Sequence, residues 1–95
     1  MTKSITAVGF SLTADQSELL EQKFKRIAYA EQHIENLSLK IKEDNGFVFD
    51  ATISFHWGIV AHVNTTNYDF AAGVNKLMDQ LDEKINKEKD KVQSR

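Results

Sequence analysis

Residues 37–63 read LSLKIKEDNGFVFDATISFHWGIVAHV. Leu37, Leu39 and Ile41 alternate with Ser38, Lys40 and Lys42, and a period of two is the pattern of a strand with one buried face. Glu43-Asp44-Asn45-Gly46 is a turn cluster. Phe47, Phe49, Ala51, Ile53 and Phe55 then alternate with Val48, Asp50, Thr52, Ser54 and His56 as a longer strand, and Ile59, Ala61 and Val63 begin a third. Directly paired residues on antiparallel strands share a face, so Phe55 should pair with Ile59 across the loop His56-Trp57-Gly58. Gly58 then falls where a three-residue hairpin loop places a left-handed residue. A two-residue loop would pair Phe55 with Val60 and turn His62 into the core.

Outward from this hairpin pair, the period changes to that of a helix. Thr13-Ala14-Asp15-Gln16 is a capping-box pattern, and Leu20, Phe24, Ile27 and Ile34 fall on one face of a helix expected from about Ala14 to His33. Residues 3–8 form a short first strand with Ile5 and Ala7 on one face. After the last strand, Asn67 or Asp69 caps a second helix. Its apolar stripe is Phe70, Val74, Leu77, Leu81 and Ile85, with Met78 beside it. It runs to about Lys91 and frays through residues 92–95. The order is β-α-β-β-β-α, and the fold expected is α+β in two layers. A four-stranded mixed sheet would carry both helices on one face, and the first helix would cross over between parallel strands. The opposite face, with Lys40, Lys42, Thr52, Ser54 and His62, would be wet.

The chain has 95 residues, 41% of them hydrophobic and 27% charged, the composition of a single globular domain over residues 1–95. It has no cysteine and no proline, which excludes a disulfide scaffold, a thiolate metal site and a Cys nucleophile. Met1-Thr2-Lys3-Ser4 leads into no long apolar run, so neither a signal peptide nor a membrane span is expected. Lys and Arg total 12 against 14 Asp and Glu, a net charge of -2. Taken alone, that balance speaks against a nucleic-acid binder, which is normally basic.

No arrangement recommends an enzyme, a cofactor or a small-molecule substrate. His56, His62 and Asp50 lack metal-ligand spacing and read as solvent-facing strand residues. Paired carboxylates such as Asp82-Glu83 diverge by about 100° around a helix. Trp57 at the hairpin tip could stack on a base, although such a residue more often folds over the hairpin or contacts a helix end. The clearest signal is on the second helix. Lys76, Lys84, Lys87 and Lys91 fall within an arc of roughly 80°, with neutral Gln80 among them, and Asp79, Glu83 and Asp90 occupy a separate arc of roughly 40°. Lys84–Lys87 and Lys87–Lys91 are like-charged neighbours, each destabilising by a few tenths of a kcal/mol, which a face selected only for stability would avoid. Lys23, Lys25 and Arg26 form a smaller basic cluster on the first helix.

These residues resemble the ribosome hibernation-promoting factor family, which includes the ribosome-associated inhibitors and the sigma modulation proteins. The resemblance rests on Ile5-Thr6, Leu12-Thr13, Lys23-Phe24 with Arg26, and Asp50-Ala51-Thr52. It rests most on Asp69, Ala72, Leu77, Asp79, Leu81 and the run Lys87-Glu88-Lys89-Asp90-Lys91. It implies a fold related to double-stranded RNA-binding domains and a cytoplasmic partner, the small ribosomal subunit with its 16S-type rRNA. Family members occupy the channel for messenger and transfer RNA and silence ribosomes under stress or in stationary phase. The resemblance carries rRNA contact to Lys23, Arg26, Lys87, Lys89 and Lys91, and the local charge pattern adds Lys25, Lys76 and Lys84. The chain resembles the short members. Gln80, Glu83 and Glu88 depart from the family's basic positions, Ala7 from a glycine and Gln16 from an apolar residue. These missing cations predict weaker binding than that of a basic relative. The alternative expectation is an acidic member that no longer binds the ribosome and serves as a protein-interaction module. A third is weak homodimerisation through an exposed sheet edge.

Overall fold

The computed structural model describes residues 1–93. Strand β1 spans Thr2–Val8, helix α1 Ala14–Phe24, strand β2 Ile34–Glu43, strand β3 Phe47–Phe55, strand β4 Val60–Asn67 and helix α2 Phe70–Gln93. The sheet order is β1-β2-β3-β4, with β1 and β2 parallel and the other two pairings antiparallel. The expected α+β architecture is what forms. Of the end expected to fray at 92–95, residues 92 and 93 belong to α2, which continues through Gln93, and residues 94 and 95 lie outside the described residues.

The alternation reads directly into the sheet. Ile5, Leu39, Ala51 and Val63 form one cross-strand row on the core face, and Ala7, Ile41, Phe49 and Thr65 the next. Both helices cover this face, since Leu20 and Phe24 of α1 and Val74, Leu77, Met78, Leu81 and Ile85 of α2 share one core with the strands. On the other face Lys40, Lys42 and His62 are exposed, and Thr52 and Ser54 half-buried. A register shift between Ile34 and Asn36 lets Ile34 and Leu37, three apart, both point inward.

The expected turn chemistry is what forms. Asn45 and Gly46 both take positive φ, 49° and 122°, conformations that Asn tolerates and Gly adopts freely. At the β3–β4 hairpin the Phe55 N–H donates to the Ile59 carbonyl at 2.9 Å, the Gly58 N–H donates to the Phe55 carbonyl at 3.0 Å, and Gly58 has φ 89°. The three-residue loop is therefore the one adopted. Ile59 shares the core face but lies at its rim, 44% exposed.

The first helix differs from the expectation of one continuous element. The capping box forms, with Thr13 Oγ1 accepting from the Gln16 N–H at 3.1 Å and Gln16 Oε1 from the Thr13 N–H at 3.0 Å. The α-helix ends at Phe24, however, and residues Lys25–His33 continue as a 3-10 helix. The reason lies in the spacing of the covered side chains. Phe24, Ile27 and Ala30 are buried and His33 half-buried, a repeat of three. A 3-10 helix has three residues per turn, so it keeps such a set on one line, whereas an α-helix would rotate it away from the core.

Candidate nucleic-acid interface

Helix α2 starts where Asp69 Oδ2 accepts from the Ala72 N–H at 2.9 Å, and Asn67 Oδ1 accepts from the Asp69 N–H at 2.9 Å. Asp69 is thus the cap, and Asn67 shapes the turn before it. With the apolar stripe turned to the sheet, the two charged flanks face different neighbours. On one flank, Lys84 and Lys87 with Gln80 and Glu83 stand over His62, Val63 and Asn64 of β4 and enclose a groove of about 290 Å³. The Thr65 hydroxyl donates to Gln80 Oε1 and holds the helix against the strand there. Lys76 and Lys91, on the same arc, are exposed.

The other flank meets the first helical segment, where its carboxylates find partners. Arg26 Nη2 is 2.8 Å from Asp79 Oδ1. One 3-10 turn on, the Tyr29 hydroxyl donates to Asp82 Oδ1. Partial burial first, then this hydrogen bond and the nearby carboxylate charge, push the Tyr29 pKa up to about 12, so the hydroxyl keeps its proton at neutral pH.

The eight basic residues singled out from the sequence do not all converge. Lys76, Lys84, Lys87 and Lys91 lie on the β4 side of α2. Lys89 is five residues from Lys84, about 140° round the helix, and is half-buried. Lys23 is half-buried one turn before Arg26, whose charge faces Asp79. Lys25 is exposed and lines a shallow recess with Met1, Lys3 and Glu31, near the opposite edge of the sheet. His62 and Asn64 belong to the groove, although neither was among the basic candidates. Their alternation marked them as solvent-facing, but only the docking of α2 brings Lys84 and Lys87 over them.

Glu88 needs a correction. From the sequence it counts among the charges missing from the basic face. In the structure it is 8% exposed, because it continues the core stripe seven residues after Leu81 and three after Ile85. It lines a pocket of about 330 Å³ with Trp57, Ile59, Lys91 and Val92, and Lys91 Nζ lies 3.4 Å from its Oε1. A buried carboxylate with one exposed partner contributes little net stability, and an apolar replacement of similar size is often neutral or stabilising. Glu88→Leu should therefore raise stability by about 1 kcal/mol, as urea denaturation would read it. A loss of stability would mean that the carboxylate carries a structural role.

Trp57 folds back over its own hairpin. Its ring stacks on Phe55 at 4.8 Å between centroids and 9° between planes, and it is half-buried. Nε1 is buried without a hydrogen-bond partner. Among the described residues, no three His, Asp or Glu side chains are placed to hold a metal ion. His62 Nδ1 instead lies 3.1 Å from Thr52 Oγ1. No described helix is long and apolar enough to cross a membrane.

The chain is thus a two-layer β-α-β-β-β-α domain whose second helix carries lysines on an outer flank. Residues 4–93 match the family described as Sigma 54 modulation protein / S30EA ribosomal protein, and the chain belongs to that family. Among solved structures it is similar to a ribosomal subunit interface protein from Coxiella burnetii. That match has a TM-score of 0.84 and 23% identity, covering 94% of this chain and 98% of the other. It is also similar to the N-terminal domain of Protein Y from Thermus thermophilus, with a TM-score of 0.73 and 13% identity, covering 92% of this chain and 98% of the other. At these identities the two structures support the fold. No curated protein sequence matches the chain.

Proposed function

We propose that this protein binds the small ribosomal subunit in the cytoplasm and holds translation off under stress or in stationary phase, without catalysis. The seat would be the channel for messenger and transfer RNA. The observation that carries the reading is the lysine flank of α2, with Lys84 and Lys87 over the β4 groove, in a chain of the S30EA ribosomal protein family. A solved structure of the same fold carries the description ribosomal subunit interface protein, which fits a ribosomal partner. Lysine ammonium groups on a helix flank suit phosphate oxygens, which position a protein on RNA without reading bases. The net charge of -2 is no obstacle, since the acids Asp79 and Asp82 are turned toward Arg26 and Tyr29 and Glu88 is buried.

Cosedimentation with purified small subunits tests this. The protein should travel with the subunit in low salt and be released progressively as salt rises, because each neutralised phosphate liberates counterions. Absence of a bound fraction at about 50 mM salt, where phosphate contacts are strong, would overturn the reading. Recovery of a defined protein partner without rRNA would favour the interaction-module alternative.

A further inference from the structure

Strand β4 ends the sheet, and its outer edge pairs with no other strand among the described residues. The hydrogen bond from the Phe55 N–H to the Ile59 carbonyl sets the phase of the β3–β4 ladder. With Ile53 opposite Ala61 and Ala51 opposite Val63, antiparallel alternation directs the backbone groups of residues 61, 63, 65 and 67 toward β3. Those of Val60, His62, Asn64 and Thr66 point away from the sheet, and all four residues are exposed. Edge strands are usually blunted by proline, a bulge or a lysine on the strand itself. The chain has no proline, the β3–β4 register is continuous, and β4 carries no lysine.

What stands beside the edge is the lysine flank of α2. Lys84 and Lys87 outweigh Glu83 in the groove by one positive charge. Two copies paired edge to edge about a twofold axis would bring these lysines toward each other, so the same charges that oppose self-pairing favour an acidic strand. We propose that the β4 edge is a docking site for an extended acidic peptide segment, which adds to the sheet as a fifth strand. Its backbone would pair with residues 60, 62, 64 and 66, and alternate carboxylates would reach Lys84 and Lys87. Val60, 54% exposed, offers apolar contact at the strand's start. The strand pairing at this edge does not rest on the ribosome contact, but the two occupants would compete for Lys84 and Lys87.

The probe is an end-blocked peptide alternating glutamate with valine, eight residues long to match β4. In an NMR titration it should shift the β4 amides and slow hydrogen exchange at His62, Asn64 and Thr66. A lysine-for-glutamate peptide should bind at least about tenfold more weakly through like-charge repulsion. Thr66→Pro removes one outward N–H at a position where an edge strand accepts proline, and Thr66 does not line the groove. It should lose the peptide and leave ribosome cosedimentation unchanged. Should Thr66→Pro unfold by circular dichroism, Val60→Pro, at the first residue of the strand, carries the same test. Equal binding of the peptide to a folded proline variant, or equal binding of the lysine peptide, would overturn the proposal. So would a dimer in light scattering that the proline variant dissolves, which would assign the edge to a second copy. Protection of the same amides by an RNA oligonucleotide, with none by the peptide, would overturn it in favour of RNA.

Discussion

Reversing Lys84 and Lys87 together to glutamate should weaken small-subunit binding by about 10- to 100-fold at low salt and flatten its salt dependence. Both residues stand on the β4 flank of α2 with no carboxylate partner within 4.0 Å among the described residues, so their charge is available to phosphate. Each phosphate left without its lysine should lower the slope of log affinity against log salt by about 0.7–0.9, and the pair by roughly twice that. Cosedimentation or filter binding across a salt series reads both quantities. Reversal of Lys25 provides the contrast, since it lies in a recess near the far edge of the sheet. An unchanged slope in the double variant, with the fold intact by circular dichroism, would remove the lysine flank from the ribosome contact. A larger effect at Lys25 would move the contact to the other edge.

Gly73→Ala should destabilise the domain by about 1–3 kcal/mol, the usual cost of overpacking a filled core. In an exposed helix the same change would stabilise by close to 1 kcal/mol, because glycine is a poor helix former. Here a Cβ at residue 73 would lie 2.4 Å from Phe49 Cε2 and 3.2 Å from Asn67 Cβ. The Phe49 ring cannot yield easily. It is 0% exposed and wedged against the rings of Phe47 and Phe70, 6.4 and 5.5 Å away between centroids. Glycine lets α2 sit close on β3, and that closeness sets how far the lysine flank overhangs β4. Thermal denaturation should show a fall of roughly 4–8 °C per kcal/mol for a domain of this size. Pairing the change with Phe49→Leu should recover part of the loss, as contacting residues couple. A rise in Tm for Gly73→Ala alone would contradict the close approach.

Some features that the structure revealed had a trace in the residues. The three-residue repeat Phe24, Ile27, Ala30, His33 announces the 3-10 segment, but Leu20, Phe24 and Ile27 also satisfy an α-helical stripe, and the two periods diverge only over the last turns. Glu88 sits at a core position of the α2 stripe. Its charge argued against burial, and burial became tolerable because Lys91 pairs with it at the rim of the core. The Arg26–Asp79 and Tyr29–Asp82 contacts join residues 53 apart in sequence, a separation at which periodicity carries no information.

Alternation, the Thr13 and Asp69 caps, the Asn45-Gly46 turn and the Gly58 loop involve residues within a few positions of each other. Their energetics are local, so the residues alone specify the six main elements, the register of the β3–β4 hairpin and the inward face. The fate of each charge is a different matter. A lysine or carboxylate acquires its role from what lies across from it, and that depends on how α2 docks on the sheet. The docking neutralised Arg26, buried Glu88 and set Lys84 and Lys87 over the free edge of β4. The total of -2 is the same before and after folding, but its distribution over the surface exists only once distant segments are packed together.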